Sequence, residues 1–126
     1  MKLNQDCVRS ILLELEEQLT LNETLVLQDL KDFETFNKFG YQTSVYALLK
    51  LKEADFIDGQ VLRSDEEIID IGIISITWSG HLFLDNIRDK VVWTKAKDSV
   101  KSLSSVSLSI LSNVATSIVK NQIGLK

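Results

Sequence analysis

Residues 48–88 are the stretch that most constrains how this chain folds. They predict the end of a helix, a β-hairpin and the start of another helix. Residues 68–76 are rich in β-branched side chains, which favour strands, and the polar residues 63–67 before them predict the hairpin tip. Thr77 or Ser79 is suited to cap the next helix, which is predicted to continue to about Trp93. This order predicts an α+β fold that is mostly helical.

Three more helices are predicted before the hairpin. The first begins at Asn4 or Asp6 and ends near Gln18, with Glu14 on its solvated side. A short strand at residues 24–27 precedes a second helix at 28–37 and a third at 43–54, which ends at a left-handed Asp55. The apolar face of the first helix repeats every three or four positions and comprises Val8, Ile11, Leu12, Leu15 and Leu19.

The C-terminal part of the chain predicts one long amphipathic helix over residues 99–123. Apolar residues cover more than half of its circumference, and its polar face is mostly serine, including Ser105 and Ser112. Such a broad apolar face has to be covered by something. We therefore expect a domain at residues 1–90 and a helical extension at 91–126, whose dimer or docking face comprises Leu103, Val106, Ile110, Leu111, Val114 and Ile118.

Charge is distributed unevenly along the chain. Residues 1–89 contain 8 Lys and Arg against 17 Asp and Glu, a net charge of −9, whereas residues 90–126 contain 6 Lys and one Asp, a net charge of +5. Affinity for any DNA sequence depends mainly on neutralising phosphates. The acidic body therefore disfavours DNA as a partner.

The residues needed for catalysis or metal binding are scarce. The chain has one cysteine, Cys7, and one histidine, His81, too few for a structural zinc site. Cys7 is expected to be a buried core residue, and His81 to pack at a helix start, although Ser79 lies two residues away. The sequence predicts a protein that is not an enzyme and that holds no metal or cofactor.

Three stretches resemble a family of small uncharacterised bacterial and prophage proteins, a domain of unknown function. They are residues 1–12 (MKLNQDCVRSIL), Val45-Tyr46 with residues 51–57 (LKEADFI), and residues 76–88 (ITWSGHLFLDNIR). The resemblance implies a winged helix-turn-helix core, with which the predicted helix–hairpin–helix order agrees. The chain departs from the family at Asp55, where Gly is expected, and at Ala47, which is often His.

The third helix suggests two kinds of partner. In a DNA-binding winged helix this helix enters the major groove and the hairpin meets phosphates. The residues placed for contact with nucleic acid or with a protein partner are Gln42, Thr43, Tyr46, Lys50 and Arg63. Val45 and Leu49 add apolar character to the same helix, which favours contact with protein. We expect a phage-associated interaction module that works through protein contacts; the alternative is a dimeric DNA-binding transcriptional regulator.

The C-terminal helix is expected to form a homodimer or to dock on a protein partner. Membrane-surface binding is less favoured, because the polar face of this helix is serine rather than lysine. The first residues lack the apolar segment of a signal peptide, and no apolar run approaches the roughly 20 residues that span a membrane. The expected location is the cytoplasm.

Overall fold

The structure, a computed structural model, describes residues 1–103 and 106–124. It is an α+β fold that is mostly helical, as predicted. Two compact units divide at His81 and Leu82, within a helix, whereas the sequence suggested a domain boundary at residue 90. The elements are α1 (Gln5–Gln18), α2 (Leu27–Leu30), α3 (Glu34–Phe39), α4 (Tyr41–Glu53), β1 (Ile57–Ser64), β2 (Glu67–Ile76), α5 (Trp78–Ile87), α6 (Lys90–Val100) and α7 (Leu108–Gln122).

Helix α1 forms where it was predicted. The Asn4 side chain accepts a hydrogen bond from the Cys7 N–H at 2.9 Å and so caps the first turn. The predicted apolar face packs against α3, α4 and β2. Cys7 is fully buried, as expected, and this burial raises the pKa of its thiol, an effect partly opposed by a hydrogen bond to Ser44. The thiol therefore stays protonated in the core. The other buried residues of α1 are Val8, Ile11, Leu12 and Leu15.

The single helix predicted at residues 28–37 is wrong, because two short helices, α2 and α3, occupy this region. Each has its own cap. The Asp29 carboxylate accepts from the Val26 N–H at 2.9 Å, and a carboxylate of α1 caps α3. The strand predicted at 24–27 reduces to a bridge, in which Leu25 and Ile73 exchange two backbone hydrogen bonds of 2.9 and 2.8 Å.

Glu14 provides the cap of α3. One of its carboxylate oxygens accepts from the Glu34 N–H at 3.0 Å, and the other accepts from the Thr35 N–H at 2.6 Å and from the Thr35 hydroxyl. Its predicted place on the solvated side of α1 is therefore wrong. The first N–H groups of a helix have no partner within the helix, and an acidic side chain there is also favoured by the helix dipole.

The turn between α3 and α4 depends on Gly40, whose φ of +85° is a conformation that other residues rarely adopt. Helix α4 begins two residues earlier than predicted. It ends before Asp55, whose φ of +63° matches the predicted left-handed conformation. The buried residues of α4 are Ser44, Val45, Ala47, Leu48 and Leu51.

Strands β1 and β2 form the predicted antiparallel hairpin. Its tip is narrower than the polar segment 63–67, because only Asp65 and Glu66 lie between the strands. Both have positive φ, 49° and 72°, as a two-residue turn matching the strand twist requires. Register shifts after Asp58 and after Leu62 leave one extra residue on β2 in each case. These extra residues, Ile74 and Ile69, are about half exposed.

Helix α5 starts as predicted and ends earlier than predicted. The Thr77 hydroxyl accepts from the Gly80 N–H at 3.0 Å, which confirms the predicted cap. The predicted continuation to Trp93 is wrong. Helix α5 ends at Ile87, and the Asp89 carboxylate accepts from the Val92 N–H at 2.9 Å to begin α6. A side chain that caps a new helix competes with continuation of the preceding one, so one helix ends and another begins there.

The second unit contains α6 and α7, which pack together. The single helix predicted at 99–123 is wrong, because α6 ends at Val100 and the Ser107 hydroxyl accepts from the Ile110 N–H at 3.2 Å at the start of α7. Ser105, predicted for its polar face, lies outside the described residues. The Asn86 side-chain amide of α5 donates to the Ser112 hydroxyl of α7 at 3.2 Å. The buried residues of these two helices are Val92, Trp93, Ala96, Leu111, Ser112 and Ala115.

A candidate interaction groove between α4 and β1

The first unit contains a groove between α4 and β1, which we call the α4–β1 groove. Its volume is about 470 Å³. Helix α4 provides one wall and the distal half of β1 provides the other. The residues that line it are Tyr46, Leu49, Lys50, Lys52, Glu53, Val61 and Arg63.

Helical and strand periodicity bring these residues together. On α4, Tyr46, Leu49 and Lys50 are spaced at three and four residues and lie on one face, while the opposite face is buried in the core. On β1, Val61 and Arg63 are two residues apart and so point to the same side of the sheet. Apolar side chains therefore line both walls of the groove, and we call these three residues, Tyr46, Leu49 and Val61, its apolar floor. The charged lining residues are Lys50, Lys52 and Glu53 on α4 and Arg63 on β1.

The charges of the groove are mainly positive. Three lining residues are Lys or Arg and one is Glu. The Lys50 ammonium lies 2.8 Å from the Glu53 carboxylate and 5.2 Å from the centre of the Tyr46 ring. The hydrogen bond with Glu53 raises the pKa of Lys50 above its ordinary value, so Lys50 stays protonated at neutral pH. No ion pair to Lys52 or Arg63 is found among the described residues.

Three of the five contact residues predicted from the sequence lie in this groove. They are Tyr46, Lys50 and Arg63. Gln42 and Thr43 do not line it, because they belong to the first turn of α4. Gln42 is exposed, and the Thr43 carbonyl lies 3.9 Å from the Cys7 thiol at the core.

The contributions of Val61 and Glu53 to this site were not predicted from the sequence. Alternation along β1 places Val61 on the same side as Arg63, and this signal was present in the sequence. Which side faces α4 depends on the bulges of the hairpin. The side of β1 that faces α4 could therefore not be predicted without knowing the register of the strands.

The docking face predicted on the C-terminal helix is only partly on α7. Leu103 and Val106 precede α7, and Leu111 is 1% exposed, so it is a core residue of the second unit. The remaining three form a strip with a spacing of four residues on one side of α7. Ile110 is 49% exposed, and Val114 and Ile118 are half-buried.

A second concave surface, of about 540 Å³, is acidic. It lies between α1, α2 and the start of α3. Glu14 and Asp29 already accept backbone hydrogen bonds there as helix caps. Within residues 1–103 and 106–124, no group of three or more His, Cys, Asp or Glu residues is arranged to hold a metal ion. The lining residues are Glu14, Glu17, Gln18, Leu25, Asp29, Asp32, Phe33 and Glu34.

In the part of the chain that the structure describes, no helix combines the length and the apolar character needed to cross a membrane.

The sequence of this chain is similar to the sequences of a known protein family. Residues 2–107 match the model of the family described as "Hypothetical protein (DUF2513)", and the chain belongs to that family. A protein of Haemophilus influenzae (strain ATCC 51907 / DSM 11121 / KW20 / Rd), itself described as "Uncharacterized protein", is 34% identical over 124 residues. The alignment covers 98% of this chain and 99% of that protein. No solved structure matches the chain.

The match to the family model includes every residue that lines the α4–β1 groove. It ends at residue 107, immediately before α7 begins at Leu108. The similarity to the Haemophilus influenzae protein covers almost the whole chain and so extends into α7.

Proposed function

We propose that this protein is a non-enzymatic, cytoplasmic winged-helix module that acts through protein contacts made by the α4–β1 groove. The observation that carries the proposal is the apolar floor of the groove, formed by Tyr46, Leu49 and Val61. A helix that reads base edges presents mainly hydrogen-bonding side chains at this position. A concave surface with apolar residues at its centre and charged residues at its edges is more typical of protein recognition.

The order of elements in the first unit supports the winged-helix assignment. A winged helix has a first helix, a short strand, a second helix, a third helix and then a hairpin that forms the wing. Here α1 is followed by the Leu25 bridge, the α2–α3 pair, α4 and the β1–β2 hairpin. The bridge joins Leu25 to Ile73, so the short strand pairs with β2.

The charge of the first unit supports protein rather than DNA as the partner. Met1–His81 contains 7 Lys and Arg against 15 Asp and Glu, a net charge of −8. The hairpin tip carries Asp65 and Glu66, and Glu67 follows at the start of β2, close in sequence to Arg63. A wing that approached a phosphate backbone would bring these carboxylates towards it, at a cost in electrostatic free energy.

A dimeric DNA-binding regulator is the second candidate function. The observation in its favour is the set of three cations, Lys50, Lys52 and Arg63, on α4 and the hairpin. These are the elements that would meet the major groove and the flanking phosphates in such a regulator.

The association with phage that the resemblance implies is a further prediction, which the genes surrounding this one would test.

Titration of the full-length chain with labelled duplex DNA, both random and from host promoters, separates the two functions. We expect a dissociation constant weaker than about 10⁻⁴ M at physiological salt, with no change in Lys50→Glu. Binding that is tighter than this, falls steeply with salt and is lost in Lys50→Glu would contradict the proposal and support the DNA-binding regulator.

Self-association through α7 is the second part of the proposal. Ile110 is half exposed on a strip with Val114 and Ile118, and a two-fold pairing of such strips would cover them. We expect the full-length chain to sediment as a dimer and Ile110→Asp to sediment as a monomer. Ser109→Asp, an exposed change on the same helix, is the control and should leave the dimer intact. A monomeric wild-type chain would contradict this part of the proposal.

A further inference from the structure

We propose that the α4–β1 groove binds a short acidic segment of another protein, one that carries aliphatic side chains between its carboxylates. This inference rests on the proposed function, which it deepens by naming the chemistry of the partner. It follows from the shape of the groove, the character of its floor and the sign of the charges at its edges.

The floor of the groove selects aliphatic side chains. Tyr46, Leu49 and Val61 are each only partly covered, although their neighbours on the inner side of α4 and β1 are buried. Covering such a surface stabilises a complex by about 25 cal/mol per Å² of apolar area removed from water. A volume of about 470 Å³ is in the range of a ligand cleft and accommodates a few side chains of a peptide.

The edges of the groove select carboxylates. Lys50 stands on the α4 side, where Glu53 and the Tyr46 ring hold its ammonium group. Arg63 stands on the β1 side, and its planar guanidinium can bind a carboxylate through two parallel hydrogen bonds. The lining residues together have a net charge of +2 within a unit whose net charge is −8. A local positive patch in an acidic unit favours a partner whose negative charges are confined to a short segment.

The small extent of this positive patch favours a peptide over a nucleic acid. Duplex DNA carries one charge per roughly 1.7 Å and extends well beyond the groove, so it would also meet Asp65 and Glu66 at the hairpin tip and Glu67 beside them. A short peptide needs carboxylates only opposite Lys50 and Arg63. It also covers the apolar floor, which a phosphate backbone does not.

Fluorescence anisotropy with synthetic peptides tests the inference on the full-length chain. The probe is a short labelled peptide of alternating Glu and Leu. A Lys–Leu peptide reverses the charge, and a Glu–Ser peptide removes the aliphatic side chains. We expect the Glu–Leu peptide to bind at least about tenfold more tightly than either, a difference of about 1.4 kcal/mol. Equal affinities for the three peptides would overturn the inference.

Two variants locate the binding. Leu49→Asp and Arg63→Glu should each weaken binding of the Glu–Leu peptide about tenfold or more. Leu21→Asp is the matched control, because Leu21 is 90% exposed in the same unit and outside the groove. It should bind as the wild type does. Urea unfolding of each variant verifies that the fold is retained. A similar loss in Leu21→Asp would overturn the assignment to the groove.

The remaining outcomes distinguish this inference from the proposed function. If the Glu–Leu peptide does not bind and duplex DNA does not bind either, the peptide chemistry is wrong and the proposed function stands. If duplex DNA binds and is lost in Arg63→Glu, both are wrong. If Leu49→Asp converts a dimer into a monomer, a second copy of the chain occupies the groove and the inference is wrong.

Discussion

Gly80→Ala is expected to destabilise the protein by about 3 kcal/mol, measured as the free energy of unfolding in urea. A Cβ atom at residue 80 would lie 2.0 Å from the carbonyl oxygen of Phe56 and 2.8 Å from the Cγ2 atom of Ile76. The carbonyl cannot easily move, because it accepts the Thr77 N–H at 3.0 Å. The first turn of α5 must therefore shift away from the end of the hairpin.

Gly72→Ala is the matched control for this prediction. A Cβ atom there meets only the Cγ2 atom of Thr24, at 3.2 Å, and a side chain can move by a few tenths of an ångström. We expect a loss below about 1 kcal/mol. Equal losses for the two variants would contradict the close approach of α5 to Phe56.

Glu14→Ala should lower the free energy of unfolding by about 2–3 kcal/mol, the second largest effect we expect. It removes an acceptor from two backbone N–H groups at the start of α3 and from the Thr35 hydroxyl. Thr35 is 1% exposed, so water cannot readily replace the lost carboxylate there. Amide hydrogen exchange should also show faster exchange in α3 than in the wild type.

Glu17→Ala controls for the loss of a negative charge from α1. Glu17 is exposed on the same helix and lines the same acidic cleft, but it is not a cap. A surface change of this kind is usually within about 0.5 kcal/mol. If Glu14→Ala and Glu17→Ala lowered stability equally, the cap of α3 would contribute nothing measurable.

Elements defined by local signals were predictable from the sequence. Asn4 and Thr77 cap α1 and α5 as expected, because a cap depends on residues three positions apart. The hairpin followed from its β-branched second strand and its polar tip. The left-handed conformation of Asp55 likewise follows from the end of a helix.

Features that depend on distant residues were not predictable in this way. Glu14 caps a helix 20 residues further along the chain, and no pattern within α1 indicates it. Apolar residues also recur at helical spacing on both sides of the break between α6, which ends at Val100, and α7, which Ser107 caps. An apolar pattern alone does not reveal such a break between two helices.

The candidate site was predictable in part for the same reasons. Tyr46 and Lys50 share a helix face by spacing alone, whereas the contribution of Val61 depends on the bulged register of the hairpin. On α7, the sequence identified the apolar residues. It did not divide them between Leu111, which is buried in the second unit, and Ile110, which is half exposed.

The most direct test of the central claim is a photo-crosslinker placed at residue 49 of the full-length chain in its host. Leu49 lies on the floor of the α4–β1 groove, so a partner bound there is within reach. We expect crosslinked species that protease removes and nuclease does not, and that are absent with the crosslinker at residue 21. Crosslinked species at residue 49 that nuclease removes would contradict this claim.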